Sequence, residues 1–305
     1  MDLQNRDDFK NLIKKERTAW FPTPFETIYQ QLIKNNYHKQ SHDYFVKNAS
    51  FIVNQLRSDA WSFFLPVEEK FTNMMLQKLV NPDEISHLSG FDAVTYFVGK
   101  YPNHFYDISL SNTQSRRSRA GNEFEAIIEL LLIGANIPME SQGNIGKTVF
   151  VQKGLGKMVD VVSPGTVEYI ANKRNTVLIS AKTTLRERWQ EVPEEMGRTG
   201  AREMFLATLD GSISNEVLEN LYNANIQIVT TKFVKQSTYS DNNSVLDFEE
   251  LLAILADTCS KWDDYTFTAD EIKTKLDLLQ KQIEKYDNHD FIKNYYIRQK
   301  EQLLQ

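Results

Sequence analysis

A single cysteine, Cys259, and five scattered histidines are the whole supply of soft metal ligands in 305 residues. One thiol makes neither an intrachain disulfide nor a thiolate cluster, and the histidines show no ligand spacing, which excludes structural zinc. Long apolar runs are missing too. No stretch approaches eighteen consecutive apolar residues, and the opening Met-Asp-Leu-Gln-Asn-Arg-Asp-Asp lacks the basic-then-apolar pattern of an export signal. A soluble, unexported, cytoplasmic protein is expected. Excess positive charge is also absent. A formal net charge of -6 and a pI near 5.5 argue against a protein that coats nucleic acid indiscriminately, because such binding depends on neutralising phosphates.

What is present starts with 41% hydrophobic residues, enough to bury a sizeable core in one large domain or two small ones. Positive charge gathers locally at Arg116, Arg117 and Arg119, and again at Lys182, Arg186 and Arg188. That distribution fits a basic cleft in an acidic protein, and it leaves specific DNA binding open.

Apolar residues fall at three- and four-residue steps in Phe9-Leu12-Ile13, Phe25-Ile28-Tyr29-Leu32-Ile33 and Phe51-Ile52-Leu56, so residues 1–105 are expected to be mainly helical. Breaks are expected at Pro22-Thr-Pro24, Pro66, Asn81-Pro82 and Tyr101-Pro102. A long helix should start near Ala120 and end near Gly134. The pattern then changes to β-branched runs at 148–151, 158–162, 176–180, 204–208 and 226–231, with a helix at about 193–203 that begins Pro193-Glu-Glu. This order predicts an α/β core with a mixed central sheet flanked by helices over 106–232. A helical segment over 233–305 completes what is expected to be one compact domain.

The chemistry concentrates between Asp160 and Glu195. Alternate strand residues share a face, so Ser180 and Lys182 are expected on one side of their strand, away from Ile179 and Ala181. Hydrolysing a phosphodiester needs a hard cation held by carboxylates, which polarises the phosphoryl oxygen and acidifies water, and a positive side chain to orient that water. Asp160 and Glu195 can supply the metal-binding carboxylates, Lys182 the positive charge, and Glu125 of the preceding helix a further acid. Each residue alone has a plainer explanation: Asp160 before Ser-Pro-Gly as a turn former, Lys182 as a solvated strand end, Glu195 as favourable charge at a helix start. Only the set in this order favours catalysis.

The arrangement resembles the PD-(D/E)XK nucleases, in the variant of some type II restriction endonucleases that lacks the second acid of the strand. Ser180 stands in its place, and Glu195 looks like its replacement from the next helix. Arg186-Glu187-Arg188 resembles the arginine, acid, arginine triplet of NgoMIV-like enzymes that recognise CCGG cores, and the chain as a whole resembles the CCNGG-cutting group. The resemblance implies a restriction-endonuclease-like fold and a bacterial, magnesium-dependent homodimer. Such an enzyme cuts double-stranded DNA at CCNGG to 5′-phosphate and 3′-hydroxyl ends, and a cognate DNA methyltransferase is expected in the same cell.

Base recognition follows from groove chemistry. Guanine offers two major-groove acceptors to a bidentate arginine and cytosine offers an amino donor to a carboxylate, which suits Arg186, Arg188 and Glu187 in turn. A charged surface loop is the alternative. Relatives in this group are thought to extrude the central bases, and Arg57 with Trp61, four apart on one helix face, can sandwich an extruded base without reading it. The bland alternative is a core tryptophan beside a snorkelling arginine. Gln114 precedes the cluster Arg116-Arg117-Ser-Arg119 and is a candidate for the minor groove, with the arginines on phosphates or simply solvated.

Ser141-Gln-Gly-Asn-Ile-Gly146-Lys147-Thr148 resembles a phosphate-binding loop. Such a loop needs a helix directly after its lysine, and Val149-Phe-Val151 reads as strand, so a plain connection is expected. The competing functions are a DNA-binding regulator without catalysis, a helical interaction protein, and a repair nuclease of the same fold that follows DNA shape.

Overall fold

The computed structural model describes residues 3–185 and 189–304. Prolines and short polar caps set where its helices begin. Thr23 accepts the Glu26 amide at 3.1 Å while Pro24, whose missing N–H is no loss in a first turn, opens the second helix. The amino-terminal helices are α1 (Arg6–Trp20), α2 (Pro24–Lys34), α3 (His42–Lys47), α4 (Ala49–Gln77), α5 (Pro82–Ile85) and α6 (Gly90–Lys100). Next comes α7 (Pro102–Gly134), which runs from this helical part into the core. The core continues with β1 (Glu140–Ser141), α8 (Gln142–Ile145), α9 (Lys147–Gln152), β2 (Val161–Ser163), α10 (Thr166–Ala171) and β3 (Val177–Lys182). Then follow α11 (Glu191–Thr199), β4 (Met204–Thr208), α12 (Asn215–Asn223), β5 (Ile226–Thr230), α13 (Lys232–Thr238) and β6 (Val245–Asp247). The chain ends with α14 (Phe248–Ser260), α15 (Ala269–Lys285) and α16 (Asp290–Leu303).

The six strands lie in chain order, β1 to β6. Pairing is antiparallel from β1 through β3 and parallel from β3 through β6, so the sheet is mixed. Ile179 is the hinge of the register, opposite Val161 on one side and Phe205 on the other. Both faces are buried, which is why β3 and β4 read as nearly continuous apolar runs. Val161, Ile179, Ala181, Phe205 and Val229 pack with α2, α4, α7 and α14, while Val162, Leu178, Leu206 and Ile228 pack with Val192 and Met196 of α11. A third cluster, Phe9, Ile13, Phe71, Met75, Tyr101 and Ile108, joins α1, α4 and α7. Among the described residues no helix is long and apolar enough to cross a membrane.

Three local expectations need correcting. Pro66 does not break its helix: α4 passes through it, because Pro66 and Ser62 lie on the exposed face and water can reach the carbonyl that the proline leaves unbonded. The long helix starts at Pro102 and not near Ala120, with that proline at its first position. The expected boundary between residues 105 and 106 therefore falls inside α7.

The third correction concerns 148–151, which is helix α9 and not a strand. Positive-φ Gly146 and Gly154 bracket the turn and Phe150 is fully buried, so packing overrides the β preference of Thr148, Val149 and Val151. β2, the strand that follows, is paired on both sides, with β1 and β3. A helix therefore does begin at Lys147, as a phosphate-binding loop would require. A cradle is still absent for another reason: 142–145 is itself a helical turn, closed by a reciprocal Ser141–Asn144 capping box.

Candidate active site

Asp160 sits where β2 begins and the β2–β3 ladder still has one donor to satisfy. Its backbone N–H donates to the Ile179 carbonyl at 2.9 Å, and its side-chain Oδ2 accepts the next amide of β3, Ala181, at 2.7 Å. The carboxylate therefore caps the ladder and is fixed by it. Lys182, the last residue of β3, donates from Nζ to the same Oδ2 at 3.0 Å and to the Ala181 carbonyl at 2.9 Å. Both side chains are largely buried, at 13% exposure for Lys182 and 10% for Asp160.

Burial pushes the Asp160 carboxyl above its ordinary range, against the opposing pull of Lys182 and the Ala181 amide. Half-buried Glu125 of α7 is raised to about 7, first by desolvation and then by the Asp160 charge, with Lys182 and Lys147 pulling the other way. Two carboxylates are thus held close in a poorly solvated place. Such a pair at the mouth of a groove marks a candidate site for chemistry.

Ser180, at the position of the missing strand acid, is fully buried, and its Oγ has no hydrogen-bond partner among the described residues. Its place in the β3 alternation directs it to the α11 side of the sheet. Glu195 of α11 is buried as well, and its Oε1 accepts the Met158 amide at 3.4 Å. That anchors the acid on the loop leading into Asp160. Among the described residues no hydrogen bond joins Glu195 to Asp160 or Lys182, and no three His, Cys, Asp or Glu side chains converge to cage a cation. The donors present are hard oxygens, few in number, and burial raises the pKa of two of them, Asp160 and Glu125. This fits a hard divalent cation, which takes carboxylate oxygens and keeps positions for water and phosphate.

A groove of about 830 Å³ connects this cluster to the helical part. Arg57 and Trp61 of α4 line it together with Arg116, Arg117, Glu125 and Lys182. Trp61 keeps 41% of its surface exposed and stacks one side on Phe64, with ring centroids 5.8 Å apart. Arg57 is exposed on the same stretch of helix, and Gln114 is exposed on α7. The triplet Arg186, Glu187 and Arg188 lies outside the described residues.

The cluster at 116–119 divides in an unexpected way. Arg119 is not available to phosphate: its guanidinium is buried and bonded to Glu123 at 2.8 Å, Thr27 at 3.1 Å and the Pro22 carbonyl. Arg116 is pinned by both Nε, at 2.7 Å, and Nη2 to the buried carboxylate of Glu68, and it lies 5.9 Å from the Trp61 ring centroid. Arg117 stays exposed on the groove. Glu68 had a sequence signal that went unread, an acid in line with Ala60, Phe64, Phe71 and Met75 on the buried stripe of α4. Lys147 was dismissed with its loop, yet its charge acts on both Asp160 and Glu125.

The model of the EcoRII C-terminal family matches residues 92–252. Over 289 residues the chain is 49% identical to the type II restriction enzyme SsoII of Shigella sonnei, covering 95% of each protein. The chain belongs to this family of type II restriction endonucleases. As a member it is a site-specific DNA nuclease. Its fold superposes on metal-depleted Ecl18kI in complex with uncleaved DNA with a TM-score of 0.91 and 47% identity, over 97% of this chain and 99% of that one. Its likeness to the PspGI restriction endonuclease, with a TM-score of 0.59 and 16% identity over 79% of this chain and 94% of that one, extends to the fold alone. The α/β core expected from the strand order, and the restriction-endonuclease fold that the family resemblance implies, are therefore the ones found.

Proposed function

We propose that this endonuclease cuts double-stranded DNA at CCNGG as a homodimer with magnesium, in a cell that also holds the cognate DNA methyltransferase. The observation that carries the reading is the common groove. One end holds Glu125 and Lys182 beside Asp160, and the other holds Arg57, Trp61 and the exposed Arg117. Chemistry on a phosphodiester and a platform for a displaced base thus share one cavity. That the related Ecl18kI is held on uncleaved DNA when metal-depleted supports a metal requirement.

Asp160 and Glu195 would hold the magnesium, with Glu125 nearby. Bound there, it would polarise the phosphoryl oxygen and lower the pKa of water. Lys182, held on Asp160, orients the attacking water and favours its deprotonated form through its charge. In-line attack then leaves 5′-phosphate and 3′-hydroxyl ends. Arg186 and Arg188 take the two guanines of a half-site while Glu187 accepts from cytosine, and a two-fold dimer repeats this on the other strand. Because the half-sites of CCNGG lie one step further apart than those of CCGG, the central bases are extruded and stacked by Arg57 and Trp61. Gln114 enters the minor groove.

The test is digestion of plasmids containing and lacking CCNGG, with magnesium or with chelator, followed by sequencing of the ends. Discrete magnesium-dependent fragments ending at CCNGG are expected. Cutting at another sequence would overturn the specificity, and cutting undiminished by chelator would overturn the metal requirement.

A further inference from the structure

Gly156 stands in the loop between α9 and β2, four residues before Asp160. Loop glycines usually serve the backbone, as Gly146 and Gly154 do here with φ of 95° and 79°. Gly156 does not. It is not among the positive-φ residues, so its backbone would accept any L-residue. What a side chain there would meet is Glu195. A β-carbon built on Gly156 would lie 1.6 Å from Glu195 Oε1, 2.2 Å from its Cδ and 2.6 Å from its Cγ. Normal carbon contacts fall at roughly 3.5–4.0 Å, so the carboxylate occupies the volume that the missing β-carbon leaves.

The helix that carries the acid is held in place, so relief of the collision falls to the Glu195 side chain itself. Val192 and Met196, on the same helix, are buried in the second core cluster and fix α11 against the sheet. The Glu195 side chain is only 11% exposed and its Oε1 meets the Met158 amide. Arg198 stays 3.8 Å away and is mostly solvated. We propose that Gly156 is a positioning residue for Glu195: the empty space at its α-carbon seats the carboxylate against the loop that carries Asp160. The inference rests on the reading that Glu195 takes part in cutting.

The experiment compares Gly156→Ala, Glu195→Asp, Glu195→Ala and the corresponding double variants. Each is measured for single-turnover cutting at saturating DNA, for specific DNA binding in chelator, and for melting temperature. Gly156→Ala should cut at least about tenfold more slowly with binding unchanged, since it displaces a group used in the chemical step and not in recognition. In the Glu195→Asp background, where the acid is one methylene shorter, the added methyl should make little further difference to the rate. In the Glu195→Ala background it should not lower the melting temperature, because the group it collides with is gone.

Wild-type cutting by Gly156→Ala, or an equal loss in both Glu195 and Glu195→Asp backgrounds, would overturn the proposal. Should Gly156→Ala fail to fold, recovery of cooperative unfolding on adding Glu195→Ala supports it and persistent misfolding sinks it. If Glu195→Ala itself cuts normally, the catalytic reading of Glu195 fails. The melting-temperature comparison then still decides whether Gly156 seats that side chain.

Discussion

Asp160 Oδ2 accepts both the Ala181 amide of β3 and the Lys182 ammonium, so one carboxylate oxygen closes a sheet ladder and holds the lysine at 3.0 Å. The geometry of this pair is thereby tied to the register of the sheet. Residues that must be placed to within a fraction of an ångström gain most from such rigid support.

Replacing Lys182 tests the pair directly. Lys182→Ala is expected to lower the cutting rate by at least about 10²-fold, the usual contribution of a positioned proton-transfer or water-orienting group. Specific binding in chelator should persist, because the lysine is buried beside Asp160 and its proposed role is in the chemical step. Unchanged cutting would remove it from the mechanism.

Arg186→Ala should weaken binding to CCNGG relative to a site with one guanine replaced. The lost discrimination is about 1–3 kcal/mol, the value of one bidentate contact. Competition binding with the two duplexes measures it, and undiminished selectivity would sink the assignment.

Trp61 offers a face to the groove while its other side rests on Phe64. Trp61→Ala is expected to weaken binding by about 1–3 kcal/mol if an extruded base stacks there. A fluorescent base analogue at the central position gives the decisive readout: it should brighten on binding wild-type protein and respond differently to Trp61→Ala. An analogue that stays quenched in both complexes would exclude extrusion.

The pH response of stability has a defined sign at Asp107. Arg6 donates to its two oxygens at 2.6 and 2.8 Å, and these bonds hold the Asp107 carboxyl below its ordinary value. A depressed folded-state pKa contributes stability above the unfolded value, near about 3.9 for aspartate, and that contribution is lost as pH falls through the lower folded value. Asp107→Asn should therefore melt below wild type at pH 7, with the gap closing under acid conditions. A gap independent of pH would mean that the ion pair is not its cause.

Gly134, at the end of α7, has no room for a side chain: an added β-carbon would lie 2.1 Å from the Phe45 ring. Gly134→Ala should destabilise the protein by about 1–3 kcal/mol, the common range for overpacking a filled core. Urea unfolding checks this, and Phe45→Leu in the same chain should recover part of the loss.

The strands that carry the chemistry were legible because both faces of the sheet are covered. Burial on two sides demands β-branched and apolar runs, and 176–180, 204–208 and 226–231 show them without ambiguity. Asp160 and Lys182 could be ranked together from strand order alone. Strands of two or three residues, β1 and β6, have too few residues to display a period. The run at 148–151 has the composition of a strand and the structure of a helix, because the burial of Phe150 outweighs the local β preference.

Within the candidate site the division is similar. Residue type and order fixed which groups can bind a cation, orient water or read a base, since those capacities belong to the side chains. Which charges remain free was decided by partners far away in the chain. Arg119 is bound by Thr27 and Pro22 as well as Glu123, and Arg116 by Glu68, 48 residues distant. The notch at Gly156 exists only because α11 is packed against the sheet and brings Glu195 to it. Local sequence sets the chemical vocabulary, while desolvation, ion pairing and steric exclusion depend on three-dimensional neighbours and arise only when the chain has folded.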